Sequence, residues 1–210
     1  MPKNDGEWGP AAAALTERGY AVLAGAMPDA GWRRLRAEAG RLRADAAFSA
    51  AGVGRGGDVR KESSIRGGSV CWLDSGMPAG GAFMAWMEGL RSFLNRRLFL
   101  GLDSFEAHYA HYPTGTSYGT HVDRHHGTDA RVVSAVIYLN VDWPADAGGE
   151  LVLYDAHNVP RLTLAPDGGT LVLFMSEDTP HEAKKATRER WSIAGWFRRN
   201  VDARSGGAVF

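Results

Sequence analysis

His121-Val122-Asp123, a lone His181 after a turn, and Arg190 nine residues beyond it are the side chains whose types and spacing suggest shared chemistry. Two imidazoles and one carboxylate on one face of a metal, with the other positions open, are the ligand set of non-haem Fe(II) oxygenases. If His121 and Asp123 lie on an extended segment, residues i and i+2 project from the same face. Their Cα atoms are then about 7 Å apart, close enough to share one ion. His181 must arrive from a distant strand. Arg190 stands outside the ligand set, because a guanidinium has no lone pair for a metal and binds only anions. The four residues read as an iron site with a bidentate anchor for a dicarboxylate. The H-x-D part alone is weak. With 7 His and 14 Asp in 210 residues, chance supplies about half of one such tripeptide per chain. Either histidine taken singly also fits a surface or satisfied core position, so the combination carries the reading.

The elements that must position these residues follow from periodicity. GYAVLA from Gly19 reads as a short strand, and Pro28 opens an Arg/Ala/Leu-rich helix to about Ala47, with Trp32, Leu35, Ala39 and Leu42 as its apolar stripe. Residues 48–66 are rich in glycine and charge and read as a mobile loop. The loop's GRGG is no phosphate cradle, since no G-K-[ST] follows it. A second helix fits Ala82 to about Leu98, with Phe83, Trp86, Met87, Leu90, Phe93 and Leu94 at helical spacing. From Phe105 the period changes to eight or so short strands separated by turns such as Pro-Asp-Gly-Gly. The fold class is therefore mainly β with α: a double-stranded β-helix, or jelly roll, with the N-terminal helices packed on one sheet. In RVVSAVIYLN both parities are apolar, as suits a strand covered on both faces. In RWSIAGWF, Arg190, Ser192, Ala194 and Trp196 share one face and Trp191, Ile193 and Phe197 the other. If Arg190 points into the barrel, so does Trp196. The chain reads as one domain over 1–210, with helical support and the mobile loop in 1–103, the jelly-roll core in 104–198 and a tail in 199–210.

Composition narrows the function classes. A 44% hydrophobic chain of this length can bury one core, and 24 basic against 24 acidic residues, with a pI near 7.1, lack the charge footprint of a nucleic-acid binder. The single cysteine, Cys71, excludes an intramolecular disulfide. The first residues lack the basic start and long apolar core of a secretory signal, and no run approaches a membrane span. A reducing, cytoplasmic setting is expected, which also keeps iron ferrous.

The text around the four residues resembles a known family. IRGGSVCWL (65–73), HYPTGTSYGTHVD (111–123), RVVSAVIYLN (131–140), GGELVLY (148–154), GGTLVLFMSEDTPHE (168–182) and RERWSIAGWF (188–197) are together similar to 2-oxoglutarate- and Fe(II)-dependent dioxygenases. The likeness is to the prolyl 4-hydroxylase superfamily, nearest to the intracellular, HIF-type prolyl hydroxylases and their bacterial relatives, and it runs from about Gly19 to Phe197.

That resemblance implies His121, Asp123 and His181 as iron ligands, with Arg190 and Tyr138 on the far carboxylate of 2-oxoglutarate and Tyr112 beside its metal-proximal end. It implies Fe(II) with 2-oxoglutarate and O2 as co-substrates, ascorbate as a supporting reductant, and a substrate alcohol, succinate and CO2 as products. Arg131 and Trp196 would line the substrate side, while the loop ending at Ile65-Arg66 closes over a bound peptide and Trp72 follows on the next strand. Two departures stand out. The family's IRGD reads Ile65-Arg66-Gly67-Gly68 here, removing a carboxylate that would face the arginine equivalent to Arg131. Tyr112 also sits one residue nearer the H-x-D than in animal relatives, implying a shortened turn. The expected function is hydroxylation of a prolyl residue in a protein, such as a translation factor or ribosomal protein. A hydroxylase of a free amino acid or small metabolite and a non-catalytic metal-binding jelly-roll sensor are the alternatives. The long 48–66 loop suits a peptide, complete retention of the ligands and Arg190 argues against the sensor, and no H-E-x-x-H supports a zinc hydrolase.

Overall fold

A computed structural model of the chain describes residues 5–50, 67–123 and 130–200. Its strands form two sheets. The larger contains β1 (Tyr20–Leu23), β2 (Ser49–Ala50), β3 (Ser69–Trp72), β4 (Ser104–Tyr112), β6 (Arg131–Tyr138), β9 (Leu171–Met175) and β11 (Arg190–Arg198), in the order β1-β9-β6-β11-β4-β3-β2. The smaller runs β5-β10-β7-β8, from β5 (Tyr118–His121), β10 (His181–Ala183), β7 (Leu151–Tyr154) and β8 (Pro160–Leu164). The described pairings are antiparallel throughout. Eight of the strands, β4 to β11, follow Ser104 as expected. The jelly roll nevertheless also recruits β1 from the N-terminal region, as an edge partner of β9.

Between the sheets lies a small apolar cluster of Tyr138, Leu151, Leu153, Val172 and Phe174. The larger core is on the other face of the seven-stranded sheet, where Tyr109, Val133, Ile137, Leu173, Trp191, Ile193 and Phe197 meet the helices. This explains why β6 is apolar on both parities: one face lines the barrel and the other lies under helices. The alternation in β11 holds as well, with Trp191, Ile193 and Phe197 in the helix-side core.

Three helices cover this sheet, one more than the sequence suggests. The unanticipated one is α1 (Asp5–Arg18), whose Gly9 and Pro10 disguise it. Pro10 lacks the N–H of a regular helical turn, and packing compensates: Trp8 is buried and meets Trp86 and Phe93 edge-on at 6.4 and 5.7 Å. The second, α2 (Asp29–Ala44), ends three residues before the expected Ala47 and buries Trp32, Leu35 and Ala39 as read. The third, α3 (Pro78–Leu98), begins earlier than Ala82, with Pro78 in the first turn where its missing N–H is no loss. Glu38 of α2 is buried, accepting hydrogen bonds from the backbone N–H groups of Ala79 and Gly80 (2.8 and 2.7 Å) and from the Tyr109 hydroxyl (2.8 Å). It thereby satisfies the open N-terminus of α3 and ties two helices to β4.

Of the expected mobile loop 48–66, residues 51–66 lie outside the described residues. Its start is ordered: Ser49 and Ala50 pair with Val70 and Ser69, and Phe48 packs edge-on against Trp191 at 5.9 Å. The tail expected from 199 is tied down at its first residue, where the Arg199 N–H donates to the Ala130 carbonyl.

Candidate metal and co-substrate site

The ligand triad is assembled by pairing β5 with β10. His121 ends β5, His181 opens β10, and the two are directly paired across the ladder with ring centroids 4.2 Å apart. Asp123 does not continue the strand, contrary to the extended i, i+2 reading; it sits in the bend after β5. That bend folds the carboxylate between the rings, with Oδ1 3.6 Å from His121 Nε2 and Oδ2 3.6 Å from His181 Nε2. All three donor atoms lie within 4.8 Å of one another.

Each imidazole is oriented by its other nitrogen. His121 Nδ1 donates to the Gly119 carbonyl at 2.8 Å and His181 Nδ1 to the Thr179 carbonyl at 3.0 Å, which leaves both Nε2 lone pairs directed at the shared centre. Tyr118 stacks on His121 at 3.7 Å, and Phe174 meets His181 edge-on at 4.6 Å. Asp123 is buried and accepts a 2.7 Å hydrogen bond from Ser134 Oγ, which pairs in turn with Ser176 Oγ at 2.8 Å. Burial alone would raise the Asp123 carboxyl, but facing His181 and His121 and the Ser134 hydroxyl hold it well below the ordinary carboxylate range. The donor set fits a divalent cation: two imidazole nitrogens and one carboxylate, each already aimed.

Arg190 opens β11 and is only 4% exposed. Its Nη1 donates to the Gly149 carbonyl at 2.8 Å and the guanidinium lies over the Tyr112 ring at 4.6 Å. Its Nε is buried without a hydrogen-bond partner, and no carboxylate among the described residues pairs with the group. A desolvated guanidinium without a counter-ion is costly unless an anion joins it, so this cation fits an acidic ligand in the cavity that it lines. Tyr138 is buried nearby. Burial pushes its hydroxyl up to about 12; Arg190 opposes the shift and Tyr112 adds to it. The cavity joins both ends of the site, being lined by the triad, Tyr112, Tyr138, Arg190, Ser192 and Trp196.

The residues expected on the substrate side divide. Arg131, Trp196 and Trp72 come together: the Arg131 guanidinium lies 3.7 Å over Trp196, whose ring is 6.3 Å from the half-exposed Trp72. Ile65 and Arg66 lie outside the described residues. At Gly68 an added Cβ would stand 2.9 Å from the His111 carbonyl and from the Tyr112 ring, so the backbone occupies the space a side chain needs. A carboxylate partner for Arg131 comes instead from Glu106, at 3.2 Å.

Sequence reasoning missed Ser134, Ser176, Glu106 and His108. His108 lines the cavity and packs against Trp72 and Trp196 at 5.0 and 5.4 Å. Parity with Tyr112 along β4 could have found Glu106 and His108, and parity with Tyr138 along β6 could have found Ser134.

Comparison with known proteins places this geometry. The profile of the 2OG-Fe(II) oxygenase superfamily matches residues 107–198. The solved structure of a Pseudomonas putida prolyl-4-hydroxylase is similar with a TM-score of 0.82 at 38% identity, covering 90% of this chain and 97% of that one. A Trichoplax adhaerens prolyl hydroxylase, solved in complex with a hypoxia inducible factor oxygen degradation domain peptide fragment, shares the fold at 23% identity. Its TM-score is 0.84, over 97% of this chain and 94% of that one. Human Egl nine homolog 1 is 32% identical over 141 residues, which are 63% of this chain and 33% of that protein. The chain thus spans about a third of the length of that curated relative.

Fold and site together are those of the 2-oxoglutarate- and Fe(II)-dependent oxygenases. More particularly, the chain belongs to the 2OG-Fe(II) oxygenase superfamily and is prolyl 4-hydroxylase-like. Fe(II), 2-oxoglutarate and O2 are the requirements of that family, and the His-Asp-His triad suits the first of them.

Proposed function

We propose that the chain hydroxylates a prolyl residue within a protein, as one catalytic unit in a reducing, cytoplasmic setting. The observation that carries this reading is the joint presence, around one cavity, of the triad, the buried Arg190, which meets no carboxylate among the described residues, and an aromatic-cationic wall of Arg131, Trp196 and Trp72. The likeness to a prolyl-4-hydroxylase over nearly the whole chain supports it further.

His121, Asp123 and His181 would hold Fe(II), with Ser134 holding the Asp123 carboxylate in place. Bound Fe(II), with 2-oxoglutarate and O2, supplies the oxidation that converts a substrate C–H to an alcohol and the co-substrate to succinate and CO2. Arg190 binds the distal carboxylate in a fork, which fixes direction as well as charge, and the Tyr138 hydroxyl donates to the same group. Tyr112, under the Arg190 guanidinium, keeps that cation flat and screens it from water. Trp196, Arg131 and Trp72 orient the peptide so that its target C–H faces the metal, and no protein acid or base has to act.

The test is incubation of a cell lysate with the enzyme, Fe(II), ascorbate and 2-oxoglutarate, followed by mass spectrometry. The expected product is one added oxygen on a proline, absent when enzyme or 2-oxoglutarate is omitted. Succinate release stimulated by free amino acids or metabolites, with no prolyl product in any protein, would overturn the protein-substrate reading.

A further inference from the structure

Glu106 lies on the barrel-facing side of β4, in register with Trp196 of β11. Its side chain is 15% exposed and its two oxygens are divided between two guanidinium groups: Oε1 is 3.2 Å from Arg131 Nη2 and Oε2 is 3.1 Å from Arg198 Nη1. Arg131 is restrained at two other points. Its Nη1 donates to the Asp123 backbone carbonyl at 3.4 Å, and its planar face rests on Trp196 at 3.7 Å.

The register of β6 creates this arrangement. From Ser192↔Tyr138 to Phe197↔Val133 the β11–β6 ladder advances in step, and then it slips so that Arg198 faces Arg131. The slip leaves Val132 without a ladder partner on β11 and turns Arg131 away from the side that simple alternation gives it. Arg131 thereby joins Arg198, which shares the parity of Trp196 on β11, on the barrel side, where Glu106 stands between them. Without that carboxylate, two like charges would meet at the mouth of the site, and a long flexible side chain would lose the contact that selects one orientation on the indole.

We propose that Glu106 is a positioning residue for the substrate wall: it holds Arg131 flat on Trp196 and so sets the surface on which the prolyl substrate lies. Arg198 completes the clamp. The assignment of a role in substrate binding rests on the proposed prolyl-hydroxylase reading; the clamp on Arg131 does not.

Two measurements test these parts separately. In the Zn(II)-loaded, nitrogen-15-labelled full chain, the Arg131 Nε–H resonance, assigned with Arg131→Lys, should shift and broaden in Glu106→Gln and Glu106→Ala. The Arg190 Nε–H resonance should stay in place. An Arg131 signal unchanged in both variants overturns the proposal, whatever the activity. With Fe(II), 2-oxoglutarate and an unfractionated tryptic lysate digest as the prolyl probe, Glu106→Gln should raise the half-saturating digest concentration about tenfold and change the maximal rate less than about threefold. The half-saturating 2-oxoglutarate concentration should not move. In an Arg131→Ala background the Glu106→Gln effect should vanish, because the two act through one contact. An equal effect in both backgrounds, or one on the maximal rate alone, overturns the proposal. If the parent enzyme yields no hydroxyproline at all, the function reading fails, and the resonance measurement still decides the clamp.

Discussion

Replacing Arg190 by methionine should move ligand affinity and stability in opposite directions. In the free protein Arg190 is a buried cation whose one described hydrogen bond goes to the Gly149 carbonyl, with its Nε unpartnered and no carboxylate beside it among the described residues. Losing that bond costs about 1 kcal/mol. Exchanging a desolvated charge for an apolar side chain of similar length returns roughly 1–4 kcal/mol. The net expectation is a variant at least as stable as the parent, by about 0–3 kcal/mol. At roughly 2–4 °C per kcal/mol for a chain of this size, its Tm is equal or raised by several degrees. With 2-oxoglutarate the sign reverses. Removing one partner of a buried, bidentate carboxylate pair costs about 3–5 kcal/mol, which weakens Kd between roughly 100-fold and several thousand-fold. Calorimetric titration of 2-oxoglutarate into the Zn(II)-loaded proteins measures the second quantity, and thermal unfolding with and without 2-oxoglutarate measures the first. At 100 times the parent's Kd, 2-oxoglutarate should stabilise the parent by about 2.7 kcal/mol and leave the variant almost unmoved. Binding within tenfold of the parent, or a Tm several degrees lower without ligand, would refute the idea that Arg190 is held buried to await an anion.

Other outcomes follow from the same structure. Ser134→Ala removes the 2.7 Å bond to Asp123 Oδ2 and should weaken metal binding about 10- to 100-fold in a chelator competition, with Ser134→Thr restoring most of it. Gly68→Asp brings side-chain atoms against the Tyr112 ring and should raise the KM for 2-oxoglutarate, since Tyr112 underlies Arg190; an unchanged KM would show that the strand relaxes freely. Burial holds the His111 imidazole below its usual range, while its 3.0 Å contact with Glu189 pulls the other way. Unfolding therefore takes up a proton, so this group's stabilisation is present above about pH 6.5 and is lost as the pH falls through the lower folded-state value. Unfolding curves of the parent and His111→Gln at stepped pH should converge on acidification, and divergence would reverse the sign.

Legibility differed with the range of the interaction. The helical stripe of Trp32, Leu35 and Ala39 and the alternation of RWSIAGWF each answer to one local surface, so their periods show directly in the chain. The first helix was illegible because its Gly9 and Pro10 argue against the element that tertiary packing of Trp8 enforces. Glu38 was illegible for a related reason: on α2 it reads as a solvated charge, and only the arrival of the α3 N-terminus and Tyr109 turns it into a buried acceptor.

By itself the amino-acid sequence determined the chemical inventory: two imidazoles, a carboxylate and a guanidinium, with the parity that aligns Arg190 with Trp196. These rest on side-chain type and short spacing, which the covalent chain fixes locally. Tertiary structure alone decided the bend that folds Asp123 between the imidazoles, the Ser134–Ser176 support beneath it and the register slip that turns Arg131 toward Glu106. Each of these depends on which residue faces which across a strand pair or a turn. A one-residue change of register inverts the face of everything beyond it, and that choice is made by the packed sheets as a whole.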